Sequence, residues 1–213
     1  MGANRLIQKS NYEGIHMRFI TIAVLAALTT PAFAQNAEKP AAALPAVKQT
    51  KSGLYMSPKE ALDAKRAGGD KVLLVDVRTR AEAMFVGMPK LADALVPYAE
   101  LPEFMNDWDE KRSVYAVQLN NDFLPELQRR MAAKGMSKDD TIILLCRSGD
   151  RSSKAADFLA SQGFSKAYSV PEGFEGDTAK DGPQAGQRVV NGWKNAGLAW
   201  TYKLDKAKLY FPK

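Results

Sequence analysis

From residue 57 onward, short apolar runs alternate with amphipathic stretches. Ser57-Pro58-Lys59-Glu60 has the form of a capping box with Pro at the first helical position, so a helix opens there and ends at Gly68-Gly69. Residues 72–77 (VLLVDV) are an almost continuous β-rich apolar run, the pattern of a strand covered on both faces. A shorter strand is expected within residues 91–98 (LADALVPY). Residues 123–136 (FLPELQRRMAAKGM) predict a helix stopped at Gly135, and residues 141–145 (TIILL) predict another buried strand. Residues 152–162 (SSKAADFLASQ) predict an amphipathic helix closed by Gly163, followed by a strand at 166–170 (KAYSV). Strands separated by helices predict an α/β domain around a parallel sheet. Ligands of such sheets bind outside the carboxyl ends of the strands. Two junctions therefore attract attention: Asp76-Val77-Arg78, and the stretch after Leu145.

Upstream the pattern changes. Met17-Arg18 is a short positive start, residues 19–28 (FITIAVLAAL) are uninterruptedly apolar, and Ala32-Phe33-Ala34 reads as a cleavage site. A membrane-spanning helix needs about 20 apolar residues, more than this run supplies. The expectation is a cleavable signal peptide starting at Met17, periplasmic localisation, and no membrane anchor after cleavage. Residues 1–34 are thus set apart from the fold. Residues 35–51 (QNAEKPAAALPAVKQTK), rich in Ala and Pro, are expected to be a disordered linker, with the folded domain at 52–213.

Composition narrows the chemistry. The chain has 213 residues, one Cys and one His, and the His (His16) lies upstream of the apolar run. One Cys excludes an intramolecular disulfide, a Cys-x-x-Cys pair and a Cys-based metal site within the chain; without a mature His there is no Ser-His-Asp triad or Cys-His dyad. No metal and no cofactor are expected. The formal charge is 30 − 24 = +6, and (30 − 3) − (24 − 1) = +4 after loss of residues 1–34. That balance suits a small anionic substrate, and no dense basic run with interleaved aromatics marks a nucleic-acid surface.

The lone thiol stands where chemistry is expected. Cys146-Arg147-Ser148-Gly149-Asp150-Arg151 joins the strand TIILL to the helix that follows. A Cys at this turn faces the free N–H groups and positive dipole end of the next helix, and Arg147 and Arg151 add two cations. Each favours thiolate over thiol without a general base. Ser148 and Gly149 are small enough to let the loop curl into a cradle of N–H donors.

The loop CRSGDRS with KAADFLASQGF after it resembles the active-site loop and helix of single-domain rhodaneses, the thiosulfate sulfurtransferase-like family. VLLVDVRTRAE resembles the family's early strand ending in Asp-x-Arg, and GWKNAGLAW is similar to its closing helix segment. The resemblance implies a central parallel sheet of about five strands with helices on both faces. It implies that Cys146 carries a sulfane sulfur as a persulfide, moved from thiosulfate or a related persulfide donor to a thiol or cyanide acceptor. The amides of Arg147, Ser148, Gly149, Asp150 and Arg151 would hold the persulfide, Arg151 would cap the loop, and Arg147 would meet the incoming anion. Asp76 and Arg78 would brace the cleft wall.

The chain also departs from that pattern. The family's Gly-His-Ile-Pro reads Gly87-Met88-Pro89, without a His. Residues 177–190 (DTAKDGPQAGQRVV) read as an inserted loop, either a lid or partner surface near the site or a surface excursion with no role. The residues after Trp200 are expected to form a packed tail. Two other functions remain open at this point. A Cys-based phosphatase or arsenate reductase would use Cys-x5-Arg, one residue wider than the Cys-x4-Arg interval here. A non-catalytic periplasmic binding or scaffold module would not need the Cys that this chain keeps.

Overall fold

The computed structural model describes residues 44–212. The expected signal segment (17–34) and the first part of the expected linker (35–43) lie outside the described residues. The helices are α1 (Pro58–Gly68), α2 (Arg80–Val86), α3 (Phe123–Ala132) and α4 (Asp150–Ser161). The strands are β1 (Val72–Asp76), β2 (Met88–Pro89), β3 (Ala94–Leu95), β4 (Ala99–Glu100), β5 (Trp108–Asp109), β6 (Val114–Tyr115), β7 (Gln118–Leu119), β8 (Thr141–Leu145), β9 (Ala167–Val170) and β10 (Trp200–Thr201).

Four strands form the central sheet in the order β3-β1-β8-β9, all parallel. The expectation of about five strands is corrected to four, because the fifth is reduced to one parallel bridge between Tyr55 and Ser169. Successive residues of β1 point to opposite faces, as the pleat requires. Leu73, Val75 and Val77 pack with Phe123, Leu127, Ala156 and Leu159 of α3 and α4. Val72 and Leu74 pack with Ala61 and Leu62 of α1, Ala83 of α2, and the ring residues Phe174 and Trp193. Both faces are covered, which accounts for the near-continuous apolar runs.

Local signals set the helix ends. The Ser57 side chain accepts from the Glu60 N–H while Glu60 reaches back to the Ser57 N–H, and Thr79 and Glu82 repeat the box at α2. α4 starts at Asp150, two residues earlier than expected, so Asp150 and Arg151 lie in its first turn. The expected closing helix at 192–200 is a series of turns instead. Gly192 and Gly197 adopt positive φ, while Trp193 is buried and its indole N–H donates to the Ala199 carbonyl. β10 then pairs antiparallel with β2, occupying the stretch where Gly87-Met88-Pro89 departs from the family pattern.

The linker expectation is also corrected for residues 44–51. Leu44, Lys48 and Thr50 are buried, a single 3-10 turn spans Ala46–Lys48, and Val47 O accepts from Ser153 Oγ of α4 at 3.0 Å. Lys48 Nζ meets Asp177 Oδ1 at 2.6 Å, which ties this segment to the start of the inserted loop. That loop closes on itself through a Thr178–Arg188 bridge. The tail does pack: Tyr210 is buried, and its hydroxyl donates to Asp122 Oδ2 at 2.8 Å.

Candidate active site

β1 and β8 are neighbours in register, with Asp76 opposite Leu145, so the two junctions singled out in the sequence lie side by side. Val77 N–H donates to Leu145 O at 2.8 Å and fixes their carboxyl ends together.

Cys146 follows β8 directly and is 1% exposed. Gly149 N–H donates to its Sγ at 3.1 Å, and the Ser152 hydroxyl lies 3.5 Å from the same sulfur. Ser152 Oγ is also within 2.9 Å of Ser169 Oγ and donates to Gly149 O at 3.1 Å. The sulfur therefore accepts from one backbone donor, the Gly149 N–H, and its own S–H is directed at the Ser152 oxygen, at the N-terminal end of α4.

The loop is moulded from behind by the turn after β9. Phe174 N–H donates to Cys146 O at 2.7 Å, and the Glu175 and Gly176 N–H groups converge on Arg147 O. Gly149 has φ +100°, and a Cβ there would collide with the Pro171 carbonyl. Gly173, at φ +64°, lies equally close against the Arg147 backbone. Both positions require glycine for the loop and the turn to touch.

Arg151 was expected to address the sulfur. Its guanidinium grips Glu82 of α2 through two bonds of 2.7 and 2.6 Å, while its charge also interacts with Cys146. Burial pushes the Glu82 carboxyl up, but the Arg151 bonds and charge, the Thr79 N–H and Arg78 outweigh it and hold the group down at about 2. Burial likewise opposes the charge on Arg151, and Glu82 more than compensates, raising its pKa; Cys146 contributes to the same rise. Arg151 is thus a braced cation near the sulfur rather than a free one.

Asp76 and Arg78 are both fully buried and form a fork, with Nε to Oδ1 at 2.9 Å and Nη2 to Oδ2 at 2.6 Å. Nη2 also donates to Gly87 O, and the guanidinium stacks 4.0 Å over the Phe174 ring. Neither residue lines the cleft over Cys146. The pair joins β1, the end of α2 and the turn behind the active loop.

The cleft has a volume of about 280 Å³, with Cys146, Arg147, Ser148, Asp150 and Arg151 on one side. The opposite wall comes from residues 101–117, to which the sequence assigned no role, and not from the inserted loop 177–190. This wall is a flap of two small ladders, β4 with β7 and β5 with β6. Trp108 and Tyr115 stack edge to face across the second ladder at 5.5 Å. Arg112 at its tip pairs with Asp150, whose other carboxylate oxygen meets Lys154 at 2.8 Å. Glu82, Ser152 and Ser169 were also missed as site residues. Glu82 had a readable signal, the Thr-x-x-Glu of its capping box; the flap had none, because its strands are two residues long.

An α/β sheet with a buried cysteine in the loop between a central strand and the next helix defines the class of fold to which this chain belongs. Residues 57–180 match the rhodanese-like domain family, and the chain belongs to it. An uncharacterized protein of Rickettsia prowazekii is 32% identical over 135 residues, covering 62% of this chain and 85% of that protein. A thiosulfate sulfurtransferase of Tolumonas auensis is 34% identical over 61 residues, 29% of this chain and 53% of that enzyme. Among solved structures, a protein from M. tuberculosis has 28% identity and a TM-score of 0.49, covering 70% of this chain and 96% of that one.

Proposed function

We propose that this protein is a sulfurtransferase that carries a sulfane sulfur on Cys146. The observation that carries the reading is the Gly149 N–H at 3.1 Å from Sγ, in a loop that opens into a cleft through Arg147 and Ser148. The Cys146 thiolate attacks the outer sulfur of thiosulfate; the new S–S bond forms as the old one breaks, and its electron pair leaves with sulfite. Cyanide or a thiolate then attacks the outer persulfide sulfur and returns Cys146 as thiolate. Membership in a family that includes sulfurtransferases supports this reading, as does the Cys-x4-Arg interval. Asp76 and Arg78 hold the sheet end, and Arg151 acts with Glu82 as a brace that keeps positive charge near the loop.

The test is intact mass after incubation with thiosulfate. The wild type gains one sulfur atom and loses it to cyanide, while Cys146→Ala gains none. Thiocyanate production by Cys146→Ala would overturn the reading.

We further propose export to the periplasm with cleavage after Ala34, on the sequence pattern of residues 17–34. N-terminal sequencing of periplasmic material should begin at Gln35; full-length chain recovered only from the cytoplasm would refute it.

A further inference from the structure

The cleft is two-faced. One side is the N–H-bearing loop with Arg147; the other carries Arg112, ion-paired to Asp109 and Asp150, and presents the apolar side chains Leu101, Met105, Val114, Tyr115 and Val117. The last four are between about a third and a half exposed, so they hold apolar surface in water rather than in the core. A doubly charged inorganic anion gains nothing from the apolar part of this wall, whose Arg112 is already engaged by Asp109 and Asp150, and loses hydration beside it. The space of about 280 Å³ also exceeds what a few-atom inorganic anion fills. It falls near the lower end of the range for small-molecule sites, about 300 Å³.

We propose that the cleft takes its sulfur in organic form, from a donor with a terminal anionic sulfur and a compact apolar body, such as an aryl or branched alkyl persulfide. The anionic end lies on the Cys146 loop and the body lies against the flap. The flap is preformed for this: the Trp108–Tyr115 stack stiffens its second ladder, and Arg112–Asp150 holds it to α4. The proposal rests on the sulfurtransferase reading. Its chemistry is the same displacement: Sγ bonds to the terminal sulfur, the S–S bond of the donor breaks, and the electron pair leaves on the organic fragment as thiolate, or as sulfinate when the donor is a thiosulfonate.

The experiment compares methanethiosulfonate with benzenethiosulfonate, using the full chain and cyanide as acceptor. The two donors offer the same sulfane sulfur and differ in the apolar body. Covering a phenyl ring with the flap should raise kcat/KM for the aryl donor by roughly ten-fold or more over the methyl donor. That ratio should fall in Tyr115→Ser and Val117→Ser. Equal kcat/KM for the two donors in the wild type, with sulfur still loaded on Cys146, would overturn this proposal and leave sulfur transfer standing. Failure of every donor, thiosulfate included, to load Cys146 would overturn both. The wild-type comparison decides the matter even if a variant fails to fold.

Discussion

Arg151 and Glu82, 69 residues apart, close a two-bond fork of 2.7 and 2.6 Å between the first turn of α4 and the first turn of α2. Glu82 simultaneously accepts from the Thr79 N–H at 2.9 Å, so one carboxylate caps a helix and anchors the active loop. The loop's geometry is therefore secured from the neighbouring strand's connection as well as from its own helix.

Arg151→Met should uncover this dependence. It leaves a largely buried carboxylate without its main partner, which costs about 2–4 kcal/mol by the logic of broken buried pairs. Glu82→Gln combined with Arg151→Met should recover part of that loss, since no charge is stranded. Denaturant midpoints of the single and double variants check it, and additive losses would show that the fork has no coupling of its own.

Acid should release the same brace. Glu82 ordinarily titrates at 4.5 and is held at about 2 in the fold, so its contribution is complete above pH 4.5 and disappears as pH falls through about 2. The shift corresponds to roughly 3 kcal/mol at most. The stability of the wild type should fall across that window more steeply than that of Glu82→Gln. Parallel curves from thermal melts at stepped pH would contradict the assignment.

The Asp76–Arg78 fork lies deeper, with both side chains fully buried. Arg78→Met should cost about 3–5 kcal/mol by stranding Asp76, whereas Asp76→Leu with Arg78→Met should cost less. Any activity left in a folded double variant should retain the wild-type KM for the donor, because neither side chain lines the cleft. A raised KM would put Arg78 in contact with substrate.

Gly149→Ala should damage the sulfur site directly. The residue stands at φ +100° with no room for a Cβ beside Pro171, so the loop must shift and the N–H that meets Sγ shifts with it. Strain of about 1–3 kcal/mol and a loss of sulfur loading are expected. Ser148→Ala is the contrasting variant; equal loading rates for the two would refute the point.

The sheet and its covering helices were legible because buried parallel strands leave apolar runs and helices leave caps. Cys146 was legible because one thiol stood between such a strand and such a helix. The orientation of Arg151 was not, since its partner Glu82 comes from a separate connection and local charge alone pointed it at the sulfur. The flap was invisible for another reason: its ladders pair two residues each, too short for any alternation to register. The turns at 192–200 replaced an expected helix because Gly192 and Gly197 take positive φ while Trp193 anchors the segment in the core.

The turn that moulds the loop has a consequence for how this protein can be altered. Gly149 against Pro171 and Gly173 against Arg147 leave no slack between the loop and a turn that lies beyond the next helix and strand. A residue added between Cys146 and Arg151 cannot be taken up on the side of that turn, so it must bulge toward the cleft or the turn must be rebuilt with it. Directed evolution toward larger anions should therefore randomise residues 171–176 together with 147–150.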